Sequence, residues 1–147
     1  MDHKLAPTDP KDAVVKEQLL HALEQSQTLI DALHHYSAIT VTDAAGYITY
    51  ANPLFLKASG YTVTELLGGS HKIVNSGVHP AAFWQTMWST ISAGNTWRDV
   101  ICDRAKDGNL FWYDTQISPM LDAKGRIEQY VSLRTDITTQ VLANEAA

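Results

Sequence analysis

The chain has 147 residues, 45% of them apolar, and a formal net charge of −5 with acidic and basic residues interspersed. This length and composition predict one globular domain that buries its core without disulfides, and the lack of a basic cluster argues against nucleic-acid and membrane-surface partners. The single cysteine, Cys102, excludes an intrachain disulfide. A cytoplasmic location is expected, because the chain shows no signal peptide and no apolar run near the roughly 20 residues of a membrane span.

The N-terminal segment is predicted to be a flexible stretch followed by a helix. Residues 1–10 contain two prolines and several charges, whereas residues 11–35 contain neither glycine nor proline. Asp9 is a candidate N-cap, with Pro10 at the first helical position, where a fixed φ and a missing N–H are favourable.

This helix carries a short apolar seam with alternating steps of four and three. Its positions are Leu19, Leu23, Ser26, Ile30 and Leu33. The spacing is typical of a coiled coil, although one position is a serine. Two interpretations stand, a helix packed on its own domain and a dimerising helix. We favour a homodimer through this helix and the outer face of the sheet, because polar residues surround the seam.

A hairpin and a series of short helices follow. Residues 37–42 and 47–51 are predicted strands, and Gly46 supplies the turn between them. Short helical turns are predicted at residues 54–60, at residues 63–69 and near residue 71.

The second helical turn has a clear start signal, because Thr62 and Glu65 show the spacing of a capping box. A longer helix is predicted to begin at Pro80 and to end at Gly94.

Three longer strands complete the pattern, at residues 96–105, 109–121 and 126–138. Asp107-Gly108 is a strong hairpin signal between the first two. Residues 139–147 have helical propensity and are predicted to start a C-terminal linker helix. This order predicts an α+β fold, a five-stranded antiparallel sheet with short helices on one face and an N-terminal flanking helix.

The segments ITVTDAAGYITYANPLF and FWYDTQISPMLDAKGRIEQYVSLRTDIT resemble the opening and closing strands of the PAS domain, which would span residues 36–138. GSHKIVNSGVHPAAFWQTMW and NTWRDVICDRAKDG are similar to the FAD-binding PAS branch of nitrogen-fixation redox regulators and aerotaxis transducers. The resemblance implies FAD held non-covalently between sheet and helices. It also implies a sensor of redox, oxygen or light state rather than an enzyme.

The resemblance assigns site residues one by one. Trp88 and Trp97 would flank the flavin ring, although aromatic residues are more often ordinary core, as we expect for Trp84. Thr40 and His71 would form a polar pair near the ring, unless His71 merely caps a short helix at the surface.

The remaining assignments concern the nucleotide part and the relay of the signal. Asn75 and Ser76 would meet phosphate or ribose. Arg134, on the last strand, would relay the signal, unless it merely pairs with an acidic residue at the surface. Alternation along that strand separates Val131 and Leu133 from Ser132 and Arg134, so that one pair can touch the cavity and the other a flanking helix or a partner.

Asp103 departs from the family, which has an asparagine facing the pyrimidine edge of the flavin. An ionised carboxylate only accepts hydrogen bonds, whereas an amide also donates. Asp103 is therefore protonated, or paired with Arg104 or Arg134, or the flavin does not bind in the family pose. A solvated hairpin residue is a further interpretation.

Other functions are kept as alternatives. In one alternative the chain is a cofactor-free PAS module for dimerisation or docking, and in another it is a haem or small-metabolite sensor. Haem is not expected, because the long helix has no axial histidine. A covalent photoadduct is not expected either, because IVNSGVH contains no cysteine. PAS domains serve an attached kinase, cyclase or chemotaxis module, and this chain contains none, so we expect it to be an excised sensor or to act in trans.

Overall fold

The computed structural model describes residues 10–146, and its five-stranded antiparallel sheet confirms the predicted fold class. The strands are β1 (Ala38–Asp43), β2 (Ile48–Ala51), β3 (Trp97–Arg104), β4 (Leu110–Leu121) and β5 (Ile127–Asp136). The helices are α1 (Pro10–Tyr36), α2 (Pro53–Ser59), α3 (Val63–Leu66), α4 (Ala81–Ser92) and α5 (Thr138–Ala146), with a 3₁₀ turn at His71–Val74. The strand order is β2-β1-β5-β4-β3.

The chain divides into two compact units, with the boundary between Leu33 and His34. The first unit contains most of α1, and no described residue of that helix is buried. Pro10 begins the helix. The proposed N-cap Asp9 and the rest of the expected flexible stretch lie outside the described residues.

Local signals in the sequence explain where the short helices begin and end. Asn52 caps α2 by accepting the N–H of Phe55, and Gly60 ends it in the left-handed conformation that favours glycine. Thr62 and Glu65 form the predicted capping box. That helix is shorter than expected, because it ends at Leu66, two residues before the first glycine of the pair that was predicted to end it.

The inner face of the sheet carries two separate apolar clusters. One, under α2 and α3, consists of Ala38, Ile48, Ala51, Phe55, Leu66 and Val74. The other, under α4, consists of Met87, Ile91, Trp97, Ile101, Ile117 and Tyr130. Because each helix buries one apolar stripe against the sheet, the two clusters fix the helices on this face.

Polar residues take the place of apolar ones between these clusters. On the inner face of four strands, the buried polar residues are Thr40, Thr42, Thr115, Ser132, Asp103 and Arg134. Burying polar and charged side chains costs free energy unless they are paired. A polar row in the middle of a core therefore indicates a site rather than a packing requirement.

Alternation on β5 agrees with its prediction. Ser132 and Arg134 are buried and line a cavity, whereas Val131 and Leu133 are only half-buried and do not line it. At the start of α5, the Asp136 carboxylate accepts the N–H of Thr138 at 2.9 Å. Among residues 10–146, no helix combines the length and the apolar character that a membrane span requires.

Candidate functional site

A cavity of about 270 Å³ lies between the inner face of the sheet, the 3₁₀ turn and α4. Its apolar wall consists of Trp84, Met87, Trp88, Ile91, Ile101, Ile117 and Tyr130. Its polar wall consists of Thr42, Ser70, His71, Lys72, Asn75, Asp103, Ser132 and Arg134. A concave, mostly apolar space with a few convergent polar groups is the usual form of a small-molecule site.

The structure brings most of the predicted site residues together at this cavity. The five that line it are His71, Asn75, Trp88, Asp103 and Arg134. Thr40 is fully buried behind them and bonds to two of them. Ser76 and Trp97 are not among the lining residues.

Thr40, His71 and Arg134 form one hydrogen-bonded group. Thr40 Oγ1 lies 2.9 Å from His71 Nε2 and accepts from Arg134 Nη1 at 3.0 Å. A guanidinium only donates, so Thr40 Oγ1 accepts from Arg134, and its own proton can be donated to the ring nitrogen of His71. In that arrangement the His71 proton lies on Nδ1, which has no hydrogen-bond partner among the described residues.

His71 is held in the neutral form. Burial, and then the charge of Arg134, lower the pKa of His71 to about 3. In the tautomer with Nδ1 protonated, the neutral imidazole offers one hydrogen-bond donor, and His71 lines the cavity. His71 is therefore not the residue that changes its protonation near neutral pH.

Asp103 and Arg134 form a buried ion pair at the inner end of the cavity. Asp103 is 9% exposed and Arg134 5% exposed, with Arg134 Nε 3.8 Å from Asp103 Oδ2. Burial raises the pKa of Asp103 to about 6, and the charge of Arg134 opposes that shift. Arg104 points elsewhere and donates to the carbonyl of Ser76. Of the sequence-based alternatives, the structure favours the Arg134 pair, and Asp103 is not a solvated hairpin residue.

The ion pair leaves hydrogen-bonding capacity unused. No hydrogen bond within the described chain ends on the Asp103 carboxylate or on Arg134 Nη2. Every fully buried polar side-chain atom of the described residues has a partner, so these atoms keep accessible surface. Because both residues line the cavity, it presents a carboxylate acceptor next to a guanidinium donor.

The aromatic wall departs in part from its prediction. Trp88 is 43% exposed, stands edge-on to Tyr130 at 5.9 Å and lines the cavity. Trp97 is buried in the apolar cluster under α4, where Phe83 packs edge-on to it at 5.4 Å. Trp97 therefore supports the wall from behind. Trp84, expected to be ordinary core, also faces the cavity.

Ser76 and Asn75 cover the edge of β3. The Ser76 hydroxyl donates to the carbonyl of Cys102 at 2.7 Å, which explains why it does not face the cavity. The backbone of Asn75 bridges to Asp103, and its side-chain oxygen accepts the N–H of Gly77. The amide nitrogen of Asn75 has no partner among the described residues.

Several lining residues were missed from the sequence. Tyr130 shares the inner face of β5 with Arg134, and Ile101 shares the inner face of β3 with Asp103. Strand alternation from the predicted residues identifies both. Lys72 had no such signal. Within residues 10–146, no group of three or more His, Cys, Asp or Glu side chains is arranged to hold a metal ion.

Comparisons with known proteins agree with this architecture. The chain is 37% identical over 101 residues to a nitrogen fixation regulatory protein of Klebsiella pneumoniae, covering 69% of this chain and 20% of that protein. It is 36% identical over 105 residues to the aerotaxis receptor of Escherichia coli K12, covering 71% and 21%. The structure of an RNA-binding light-oxygen-voltage receptor superposes with a TM-score of 0.68 at 28% identity, over 80% of this chain and 34% of that one.

The chain spans about a fifth of the length of these curated relatives. The model of the PAS domain family matches residues 37–139, in agreement with the resemblance noted in the sequence. This chain therefore belongs to the PAS domain family, the sensor domains of signalling proteins.

Proposed function

We propose that this domain binds FAD non-covalently and reports its redox state, set by oxygen or another oxidant, to an output domain or partner in the cytoplasm. One observation carries the proposal. The cavity joins an apolar, partly aromatic wall to an inner end where Asp103 and Arg134 leave an acceptor and a donor without partners. A planar heterocycle with one polar edge satisfies both walls.

The flavin ring fits this chemistry. Its pyrimidine edge presents one ring N–H between two carbonyl oxygens. The Asp103 carboxylate would accept from the N–H, and Arg134 Nη2 and His71 Nδ1 would donate to the carbonyl oxygens. An aspartate in place of the family's asparagine is thus compatible with the site, because Arg134 offsets its charge.

The rest of the ring would lie against the apolar wall. Trp88, Met87 and Ile91 lie on α4, opposite Ile101 and Ile117 of the sheet. A bound flavin supplies reversible uptake of one or two electrons. The protein residues bind and orient the ring, limit its contact with water, and set the charge beside it.

The absorbance spectrum of freshly purified protein tests this function. We expect flavin bands that bleach under dithionite and return in air, and FAD released on denaturation. If the protein is colourless, ligand-free chain titrated with FAD is expected to quench the flavin fluorescence. Colourless protein that does not bind added FAD would leave the cofactor-free docking module as the function.

We also propose that α1 pairs with α1 of a second copy of the chain. The seam residues Leu19, Leu23, Ile30 and Leu33 are each 46% to 66% exposed. Their alternating spacing is self-complementary, so a second copy provides matching holes for these side chains. A helix of 27 residues is long enough for several such layers.

Leu23→Glu is expected to shift the chain from dimer to monomer in sedimentation velocity, because it places a charge in the seam. Glu24→Gln, one residue along and outside the seam, is the matched control and leaves the dimer intact. A dimer that survives Leu23→Glu and Ile30→Glu together contradicts pairing through α1.

A further inference from the structure

We infer that Ser37 and Asn52 couple Arg134 in the cavity to the last turn of α1, so that a change of charge at the cavity alters that turn. This inference deepens the proposed sensory function and rests on it for its biological meaning, since it names the route by which a signal leaves the cavity. Residues 34–36 end α1 and belong to the same compact unit as the sheet.

Ser37 joins the end of α1 to Arg134. It is 6% exposed, and its hydroxyl bonds to the backbone of Arg134 alone. Oγ accepts the Arg134 N–H at 3.0 Å and donates to the Arg134 carbonyl at 3.2 Å. The residue that follows α1 is thus fixed to the residue whose guanidinium faces the cavity.

Asn52 holds this junction from the other side. Its fully buried amide donates to the Ser37 carbonyl at 2.8 Å and accepts the N–H of Ile39 at 2.9 Å. The same amide nitrogen lies 3.4 Å from Nδ1 of His34, in the last turn of α1. One side chain therefore contacts the end of the helix and the start of β1.

The Arg134 guanidinium is linked to the same amide by a second route. Asn52 caps α2 by accepting the N–H of Phe55 at 3.0 Å. The Phe55 ring lies 4.9 Å from Arg134 Cζ, within the range of a cation–π contact. A movement of the guanidinium in response to the charge of Asp103 therefore reaches Asn52 through Phe55, and a movement of the Arg134 backbone reaches it through Ser37.

The C-terminal helix offers a separate route for comparison. The Trp112 N–H donates to Thr138 Oγ1 at 2.9 Å, and the Ile137 N–H donates to the Trp112 carbonyl at 2.8 Å. Trp112 pairs with Cys102, next to Asp103, and neither bond involves Arg134.

Amide hydrogen exchange on the ligand-free full chain tests the coupling, with Asp103→Asn as the change of charge. We expect this substitution to change exchange in residues 34–39 by about threefold or more, a typical coupling between sites, and to leave residues 138–146 unchanged. Ser37→Ala removes the link through the Ser37 hydroxyl and is expected to reduce the response. Ser37→Thr, which restores the hydroxyl, and Thr138→Val, the matched control on the other route, are expected to retain it.

A second variant covers the case in which Ser37→Ala does not fold. Asn52→Ser keeps an oxygen that can cap α2 and removes the amide nitrogen on which both routes converge, so it is expected to abolish the response. A response confined to residues 138–146, or one that persists in both Ser37→Ala and Asn52→Ser, overturns the inference. No flavin is needed, so this outcome leaves the flavin proposal standing, and colourless protein leaves the coupling intact.

Discussion

Replacing Arg134 with methionine is expected to lower the free energy of unfolding at pH 7 by about 3–5 kcal/mol. Removal of one partner of a buried ion pair leaves an uncompensated charge, and losses of that size are typical. Asp103 and Arg134 are 9% and 5% exposed, so most of each side chain is shielded from bulk water. Urea unfolding followed by circular dichroism measures the change.

Two controls separate charge from packing. Arg98→Met breaks an ion pair with Asp114, whose side chains are 68% and 34% exposed, and is expected to cost less than about 1 kcal/mol. Asp103→Leu added to Arg134→Met is expected to recover most of the loss, because it removes the unpaired charge. If Arg134→Met lowers the free energy of unfolding no more than Arg98→Met does, the Asp103–Arg134 pair does not behave as a buried ion pair.

The stability of the chain is expected to depend on pH through two opposing groups in the cavity. The pKa of Asp103 is raised from 3.8 to about 6, so the folded state holds this proton more tightly and stability falls as the pH rises through that window. The pKa of His71 is lowered from 6.5 to about 3, so its contribution to stability falls as the pH drops through that window. Each group contributes at most about 1.4 kcal/mol per pH unit, and the two oppose each other between pH 4 and 6.

Single substitutions are expected to separate the contributions of Asp103 and His71 to the pH dependence of the free energy of unfolding. In Asp103→Asn only the contribution of His71 remains. The free energy of unfolding of this variant therefore falls more steeply than that of the unmodified chain as the pH drops from 6 to 4. His71→Gln leaves the Asp103 slope, so its profile is displaced in the opposite direction. Urea unfolding at a series of pH values measures both, and parallel profiles for the two variants would rule out this assignment.

Much of the fold was predictable because its signals are local. The capping box at Thr62, the turn at Gly108 and alternation along β5 each depend on neighbours in the sequence. The end of α3 at Leu66 was not predictable in this way. The Gly68 N–H donates to the Ile48 carbonyl, and the Ile48 N–H donates to the Gly69 carbonyl, so both glycines are bonded to the start of β2 and do not continue the helix.

The site residues, too, were predictable only where a local pattern indicates them. The resemblance led to Asp103 and Arg134, and alternation to their inner face, but neither shows that the two side chains meet across β4. Ser76 and Trp97 were expected at the ligand, yet one is bonded to the backbone of β3 and the other is packed behind the wall. Contacts of this kind depend on tertiary packing, which local patterns do not contain.

The binding of riboflavin and of N3-methylriboflavin to the ligand-free chain, followed by fluorescence quenching, tests the central claim most directly. Methylation removes the ring N–H from which Asp103 is proposed to accept a hydrogen bond. We expect binding of the methylated compound to be weaker by roughly tenfold to a hundredfold in the unmodified chain, the cost of losing one hydrogen bond to a charged group. In Asp103→Ala the two compounds are expected to bind about equally. Equal binding in the unmodified chain, or no binding of riboflavin, would contradict a flavin held against Asp103 and Arg134.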